Sequence, residues 1–227
     1  MFISGTDVGK CVAQHHNIVE AAKRTGVKWI IYTSIIHADT SSTSHAEEHR
    51  ITELELESAG IPFTILRNGW YTENYINSIL STLNWNNLVN TTDEVKIASA
   101  ARADFADAAV AVLATNGHKG KIYELAGDNA YSLRDVIAEI SRQVCKYYLH
   151  IHMLQIPHAT SLANFSSSQC LAEVKIAGDV IASVSNLCDD NRQLSKLIGR
   201  PTTSLSASVA EVIKGVITDH LLKSRPI

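Results

Sequence analysis

Long apolar runs are missing from this chain. None approaches the roughly 18 residues that a membrane-spanning helix needs, so no membrane span is expected. A surplus of either charge is missing too. With 20 Lys and Arg against 23 Asp and Glu, the formal net charge is −3. That balance gives no electrostatic footprint for nucleic acid and no acidic disordered tail. Cysteine is scarce. Cys11, Cys145, Cys170 and Cys188 lie far apart without a C-x-x-C pair, which reads as reduced thiols in a cytoplasmic protein. The start, Met1-Phe2-Ile3-Ser4, has neither a basic n-region nor an apolar segment of signal-peptide length, so no secretory signal is expected. No G-x-S-x-G elbow occurs, and with it goes the Ser/His/Asp hydrolase reading. G-x-G-x-x-G and G-x-x-G-x-x-G are absent as well.

What is present is an ordinary globular composition. The 227 residues are 45% hydrophobic, enough for one large domain or one and a half small ones. The chain is organised around Gly60-Ile-Pro-Phe-Thr-Ile-Leu-Arg-Asn-Gly-Trp-Tyr-Thr-Glu-Asn74. A helix-ending glycine leads into an apolar core of strand length, Ile61 to Leu66. The strand breaks at Arg67-Asn68-Gly69-Trp70-Tyr71, and the carboxyl end of a strand is where open α/β sheets place their ligands. Gly69 permits a close backbone approach. Before this stretch come a short strand at Met1 to Ser4, a helix from Ala13 to Thr25 closed by Gly26, a doubly buried strand at Val27 to Ser34 and an acidic helix from His45 to Ala59. After it come a helix at Tyr71 to Leu83, a strand at Val95 to Ser99, a helix at Arg102 to Asn116, a strand at Lys121 to Ala126 and a helix that Ser132 caps. Tyr147 to Met153 alternates as a strand does, Pro157 to Gln169 is unassigned, and a last helix runs from Ser206 to Leu222. Alternation with short connections calls for a parallel sheet covered by helices on both sides.

Two motif matches carry little chemistry. Ser4-Gly-Thr-Asp-Val-Gly-Lys-Cys11 lies where a phosphate loop would lie. Ser4 stands in place of its first glycine, and Cys11 in place of the hydroxyl that would hold magnesium. His45-Ala-Glu-Glu-His49 matches H-x-x-E-H. It lacks a third ligand, and Glu47, Glu48, Glu53, Glu55 and Glu57 read as a solvated face. No metal site is expected.

Taken together, Ile3-Ser4, the Gly9 turn, Trp29-Ile-Ile-Tyr-Thr-Ser34, the Gly60–Asn74 block and Lys96-Ile-Ala-Ser-Ala-Ala-Arg-Ala-Asp104 resemble the NmrA-like atypical short-chain dehydrogenases, nearest their bacterial NAD(P)H:quinone oxidoreductase branch. Tyr123-Glu-Leu-Ala-Gly127 and Leu194-Ser-Lys-Leu-Ile-Gly-Arg-Pro-Thr-Thr203 extend the likeness, so that it covers residues 1–144 and 175–212. The stretch from Cys145 to Leu171 does not resemble the family's substrate-covering segment. The resemblance implies a doubly wound, Rossmann-like α/β fold, N-terminally truncated so that the chain starts at the fourth strand. It implies a partial NAD(P)-binding domain over 1–126 and a small α/β substrate-covering lobe over 127–227, interleaved with it.

By the same resemblance, Ser4, Gly5 and Thr6 lie beside the dinucleotide. Asn68, Gly69, Trp70, Tyr71, Thr72 and Glu73 frame the nicotinamide and the quinone. Ser34 takes the active-site serine position, and His45 and His49 replace the family's Tyr and Lys, which leaves His49 as the catalytic acid. The implied cofactor is NADP or NAD and the implied substrate a small-molecule quinone. Loss of the Gly-rich turn implies weak cofactor binding by the chain alone, and a homo-oligomer or another subunit covering the exposed sheet edge. The alternatives are a non-catalytic, redox-sensing regulator and an inactive fragment.

Overall fold

The structure is a computed structural model that describes residues 1–5, 9–82, 88–90, 96–144, 150–152 and 191–223. Its chain divides into two compact units, one made of residues 1–69, 103–128 and 187–202 and the other of residues 70–102, 129–186 and 203–227.

The first unit is built on β-branched runs that are buried from end to end. Strand β1 (Ile30–Ile35) is buried along all but its last residue, as a strand covered on both faces must be. It pairs in parallel with β2 (Phe63–Asn68), with Ile30 opposite Phe63 and Ile35 opposite Asn68. Strand β2 pairs in parallel with β4 (Lys121–Leu125), giving the order β1-β2-β4. The expected first strand is reduced to a single parallel bridge from Phe2 to Tyr32. Helix α1 (Cys11–Thr25) ends at Gly26 in the left-handed region, at φ 68°, where only glycine sits without strain. Helix α2 (Ser44–Ser58) starts at Thr43, whose side chain accepts the Ala46 N–H. Phe2, Val19, Ala22, Ile30, Tyr32, Leu56 and Ile65 form one core cluster, so α1 and α2 cover the sheet face that carries Ile30, Tyr32 and Ile65.

The acidic helix is not the solvated element its composition predicts. Ala46, His49, Thr52, Glu53 and Leu56 of α2 are buried, at intervals of three and four. The apolar face is disguised, because three of its five buried positions carry His, Thr and Glu.

In the second unit, α3 (Thr72–Thr82), α5 (Leu133–Val144) and α7 (Leu205–Lys223) pack through Ile76, Ile79, Val136, Ile137, Ile140 and Val209. Ser132 caps α5 as expected, in a reciprocal box: its N–H donates to Asp135 and its Oγ accepts the Asp135 N–H. A short β3 (Leu88–Asn90), not expected, pairs in parallel with β5 (His150–His152), which falls within the strand expected at Tyr147 to Met153. Of the strand expected at Val95 to Ser99, Val95 lies outside the described residues, and among the described ones Ile97 alone pairs, through a single antiparallel bridge to Tyr131. Helix α4 (Arg102–Ala114), apart from Arg102, and a short α6 (Gln193–Ile198) belong to the first unit. Residues 157–169 lie outside the described residues, as do 145–149.

Gly69 has a reason in the first unit. Its N–H donates to the Leu125 carbonyl oxygen at 2.8 Å. A Cβ there would stand 2.9 Å from that same backbone oxygen, which cannot swing aside. Gly69→Ala is expected to cost about 1–3 kcal/mol through overpacking between β2 and β4. A denaturant midpoint equal to that of the wild type shows that the backbones part without penalty.

Candidate functional site

The residues expected beside a dinucleotide in the first unit lie at the carboxyl ends of its parallel strands. Ser4 follows the Phe2 bridge, Ser34 is the penultimate residue of β1, and Asn68 ends β2. The Ser4 N–H donates to Thr33 Oγ1 at 3.0 Å, and the Gly5 N–H donates to His15 Nε2 at 3.0 Å. Thr6 lies outside the described residues. Among the described residues, Ser34 Oγ, Asn68 Oδ1 and His45 Nδ1 are buried side-chain atoms with no hydrogen-bond partner, as are His37 Nε2 and Glu48 Oε2 in the same unit and Tyr75 Oη and Ser208 Oγ in the other. Native proteins leave few such groups, so five in the first unit, at the ends of β1 and β2, in the turn after β1 and in the first turns of α2, need an explanation.

His45 and His49 share a face of α2, with ring centroids 4.8 Å apart and planes at 87°. His49 is 4% exposed, and its Nδ1 lies 2.7 Å from Tyr32 Oη. Burial, together with the neighbouring His45 and His15, pulls its pKa down to about 3. The imidazole is therefore neutral at neutral pH. Its tautomer follows from its neighbours. His15 accepts at Nε2 and so carries its proton on Nδ1, leaving Tyr32 to donate its own proton to His49 Nδ1. His49 then keeps its hydrogen on Nε2. Burial pushes the Tyr32 phenol well above its usual range and lowers His45, against the pull of Glu48.

Beside Asn68 stands a charge cluster that sequence reasoning missed. Arg67 is 6% exposed and binds Glu53 through two bonds, Nε to Oε1 at 3.0 Å and an Nη to Oε2 at 2.6 Å. Its other Nη reaches Glu124 at 2.7 Å and Asp39 at 2.9 Å. Burial opposes ionisation of Asp39, but the Arg67 guanidinium offsets it and holds that carboxyl below its usual range. Glu124 also accepts the His37 N–H at 3.0 Å, which fixes the turn after β1. No periodicity links Glu53, Arg67 and Glu124. The β2–β4 register sets Arg67 opposite Glu124, and the packing of α2 brings Glu53 to them.

In the second unit, Trp70, Tyr71, Thr72 and Glu73 are engaged among themselves and with their own unit. The Trp70 carbonyl accepts the Ala100 N–H at 3.1 Å, and Thr72 N–H donates to the Ala100 carbonyl at 3.0 Å. The Arg102 guanidinium lies over the Tyr71 ring, 5.3 Å from its centroid. Both Glu73 oxygens accept the Arg102 N–H, at 3.0 and 3.2 Å, at the start of α4. Thr72 Oγ1 contacts Ser99 Oγ at 2.8 Å and Tyr131 Oη at 2.7 Å, and the last two also contact each other closely. Tyr75 Oη is buried without a partner. Ser99, Tyr131 and Tyr75 gave no sequence signal beyond a scatter of hydroxyls.

The NAD(P)H-binding family profile matches residues 2–116. Quinone oxidoreductase 2 of Escherichia coli is 44% identical over 212 residues, which are 93% of this chain and 74% of that protein. The chain belongs to the NAD(P)H-binding family. Within that family, an NmrA-like family domain-containing oxidoreductase of Aspergillus flavus is 28% identical over 141 residues, covering 60% of this chain and 45% of that one. The crystal structure of the Escherichia coli NADPH-dependent quinone oxidoreductase with NADPH superposes with a TM-score of 0.82 at 44% identity, covering 93% of this chain and 75% of that one. That of Citrobacter sp. triphenylmethane reductase with NADP(H) gives 0.80 at 28% identity, again covering 93% and 75%. The NAD(P)H-binding family member described here thus has the Rossmann-like parallel sheet and the NmrA-like character expected from its sequence.

Two measurements test the chemistry read from this edge. Removing Arg67 leaves Glu53 buried and unpaired. Arg67→Met is expected to cost roughly 3–5 kcal/mol, and the double change with Glu53→Leu to recover most of it. Equal losses in the single and double variants contradict the pairing. For His49 the folded pKa is depressed, so the unfolded chain binds the extra proton. Its contribution is complete above the unfolded value of 6.5 and is lost as pH falls towards about 3, at no more than about 1.4 kcal/mol per pH unit. His49→Asn, which accepts from Tyr32 but does not titrate, should flatten the stability curve between pH 6.5 and the onset of carboxylate protonation. Parallel curves for the two proteins are incompatible with this assignment.

Proposed function

We propose that this protein is an NADPH-dependent quinone oxidoreductase. The unmatched polar atoms of Ser34, Asn68 and His45 carry the reading, because a dinucleotide offers the donors and acceptors that they lack. NADPH supplies the hydride that reduces a quinone when it is bound. Ser34 and Asn68 hydrogen-bond the cofactor from two adjacent parallel strands, and the strand exit at Ser4 and Gly5 lines its path. Arg67 keeps Asn68 and the turn after β1 in place through Glu53, Glu124 and Asp39. His49 holds a proton at Nε2 with Tyr32 behind it, and water supplies the bulk of protons. A quinone accepts hydride readily, so it needs no stronger acid than this. Glu73, committed to the start of α4, is assigned to shaping the Trp70–Glu73 loop, and the role of that loop at the nicotinamide rests on the family resemblance.

We also place the protein in the cytoplasm. Its composition, with four widely spaced cysteines and no C-x-x-C pair, supports this. Among the described residues no helix is long and apolar enough to cross a membrane.

The test is a titration of NADPH followed by its fluorescence, then NADPH consumption with a benzoquinone. Saturable binding with quinone-dependent oxidation is expected. Ser34→Ala should weaken NADPH binding roughly five- to tenfold, the worth of one net hydrogen bond. Saturable binding without turnover refutes the enzyme reading and leaves a cofactor-sensing regulator. No binding refutes both.

A further inference from the structure

We propose that His15 is a positioning residue for the cofactor site: it fixes the backbone at Gly5, where the first strand leaves the sheet, by accepting the Gly5 N–H. The inference rests on the cofactor reading above.

The sheet ladder stops early on this strand. Phe2 N–H donates to the Ile31 carbonyl at 2.7 Å, and the Phe2 carbonyl accepts the Thr33 N–H at 3.1 Å. Beyond that point two successive N–H groups turn to side chains, Ser4 to Thr33 and Gly5 to His15. The position of this exit therefore depends on where the His15 ring sits. That ring has no freedom. It is 1% exposed, and the Phe2 ring stands edge-on to it at 5.0 Å and 83°. With Nε2 accepting, Nδ1 carries the hydrogen and donates to Thr52 Oγ1 at 2.9 Å. Thr52 in turn donates to the Glu48 carbonyl at 3.0 Å, so its own hydrogen is committed and its lone pair must take the His15 proton. One tautomer satisfies all three bonds. Glu48 also accepts the Gly9 N–H at 2.6 Å through its side chain. Helix α2 thereby holds Gly5, through Thr52 and His15, and separately holds Gly9.

Simple space-filling between Phe2 and α2 would be met by an aliphatic side chain. What imidazole adds is one acceptor at a fixed point on the carboxyl edge of the sheet, and it adds it only while neutral. Protonation puts a hydrogen on Nε2 against the Gly5 N–H. Among the described residues, the groups that face His15 are Phe2 and Tyr32 from the sheet and His49, Thr52, Glu48 and Glu55 from α2, with Cys11 one turn earlier on the buried side of its own helix. Burial lowers its pKa, and the two glutamates oppose that shift.

Three variants of the full chain test this. His15→Gln keeps an acceptor near the Nε2 position and does not titrate, His15→Leu fills the space and accepts nothing, and Thr52→Val removes the group that fixes the tautomer. In the free protein, Gly5 amide exchange should match the wild type in His15→Gln and be about tenfold faster in His15→Leu, with Thr52→Val in between. NADPH binding should be about tenfold weaker in His15→Leu and unchanged in His15→Gln. As pH falls below 6.5, the ordinary histidine value, the wild type should lose affinity where His15→Gln does not. The inference falls if folded His15→Leu shows wild-type Gly5 exchange, or if His15→Gln is as impaired as His15→Leu. If His15→Leu does not fold, identical pH dependence of the wild type and His15→Gln overturns it. Absence of NADPH binding in every protein, the wild type included, refutes the cofactor reading and with it the purpose assigned to His15. The Gly5 exchange still decides whether His15 holds that backbone.

Discussion

Arg67 is the constraint on which the first unit depends. One guanidinium, nearly excluded from water, meets carboxylates from three places: the turn after β1, helix α2 and strand β4. Desolvating such a charge costs several kcal/mol, and only well-made hydrogen bonds offset it. The two bonds to Glu53 have the forked geometry that arginine supplies and lysine does not. Glu124 uses one oxygen on Arg67 and the other on the His37 N–H, whose residue sits at φ 55°. A non-glycine residue in that region persists only where its surroundings hold it there. The turn that leaves β1 is thus tied, through Glu124 and Arg67, to the strand that ends in Asn68.

Much of this architecture was legible in the sequence. Gly26, Ser132 and the β-branched runs mark element ends and interiors by local chemistry alone, whereas the Thr43 cap of α2 emerges only from the structure. The expected helix at Ala13 to Thr25 and the observed Cys11–Thr25 differ only at their starts. What local chemistry missed depends on register. The buried face of α2 carries His49, Thr52 and Glu53, residue types that count as solvated until the partners Tyr32, His15 and Arg67 are placed. The stretch around Ile97 has the composition of a strand, but its described residues make a single bridge, Ile97 to Tyr131, and no ladder. Propensity alone does not supply a pairing partner.

The two histidines of the H-x-x-E-H match illustrate the same point at the level of chemistry. Helical spacing brings His45 and His49 together, as it would in a zinc site. Yet His49 Nδ1 is taken by the Tyr32 hydroxyl, inside a core lined by Phe2 and His15. A metal ligand needs a free lone pair and room for a charged ion. Here the His49 lone pair accepts a phenolic hydrogen and burial disfavours charge on both rings, so His49 works as a neutral, hydrogen-bonded imidazole, while His45 Nδ1 has no partner among the described residues.

The distribution of satisfied and unsatisfied polar groups then separates scaffold from site within the first unit. Under α1 and α2, the polar side chains of His15, Tyr32, Thr52, Glu53 and Arg67 find partners at hydrogen-bond distance. At the carboxyl ends of β1 and β2, Ser34 and Asn68 each hold a buried atom without a partner among the described residues, as do His37 in the turn after β1 and His45 and Glu48 in the first turns of α2. Both sets lie on the same few strands and helices, so poor packing of the unit as a whole does not account for the contrast. An unmade hydrogen bond costs about 1–3 kcal/mol for each buried group, and five of them together rival the net stability of a small domain. Such a deficit beside well-satisfied neighbours has a simple physical account in a bound partner with matching donors and acceptors. The family to which the chain belongs supplies the chemistry of that partner.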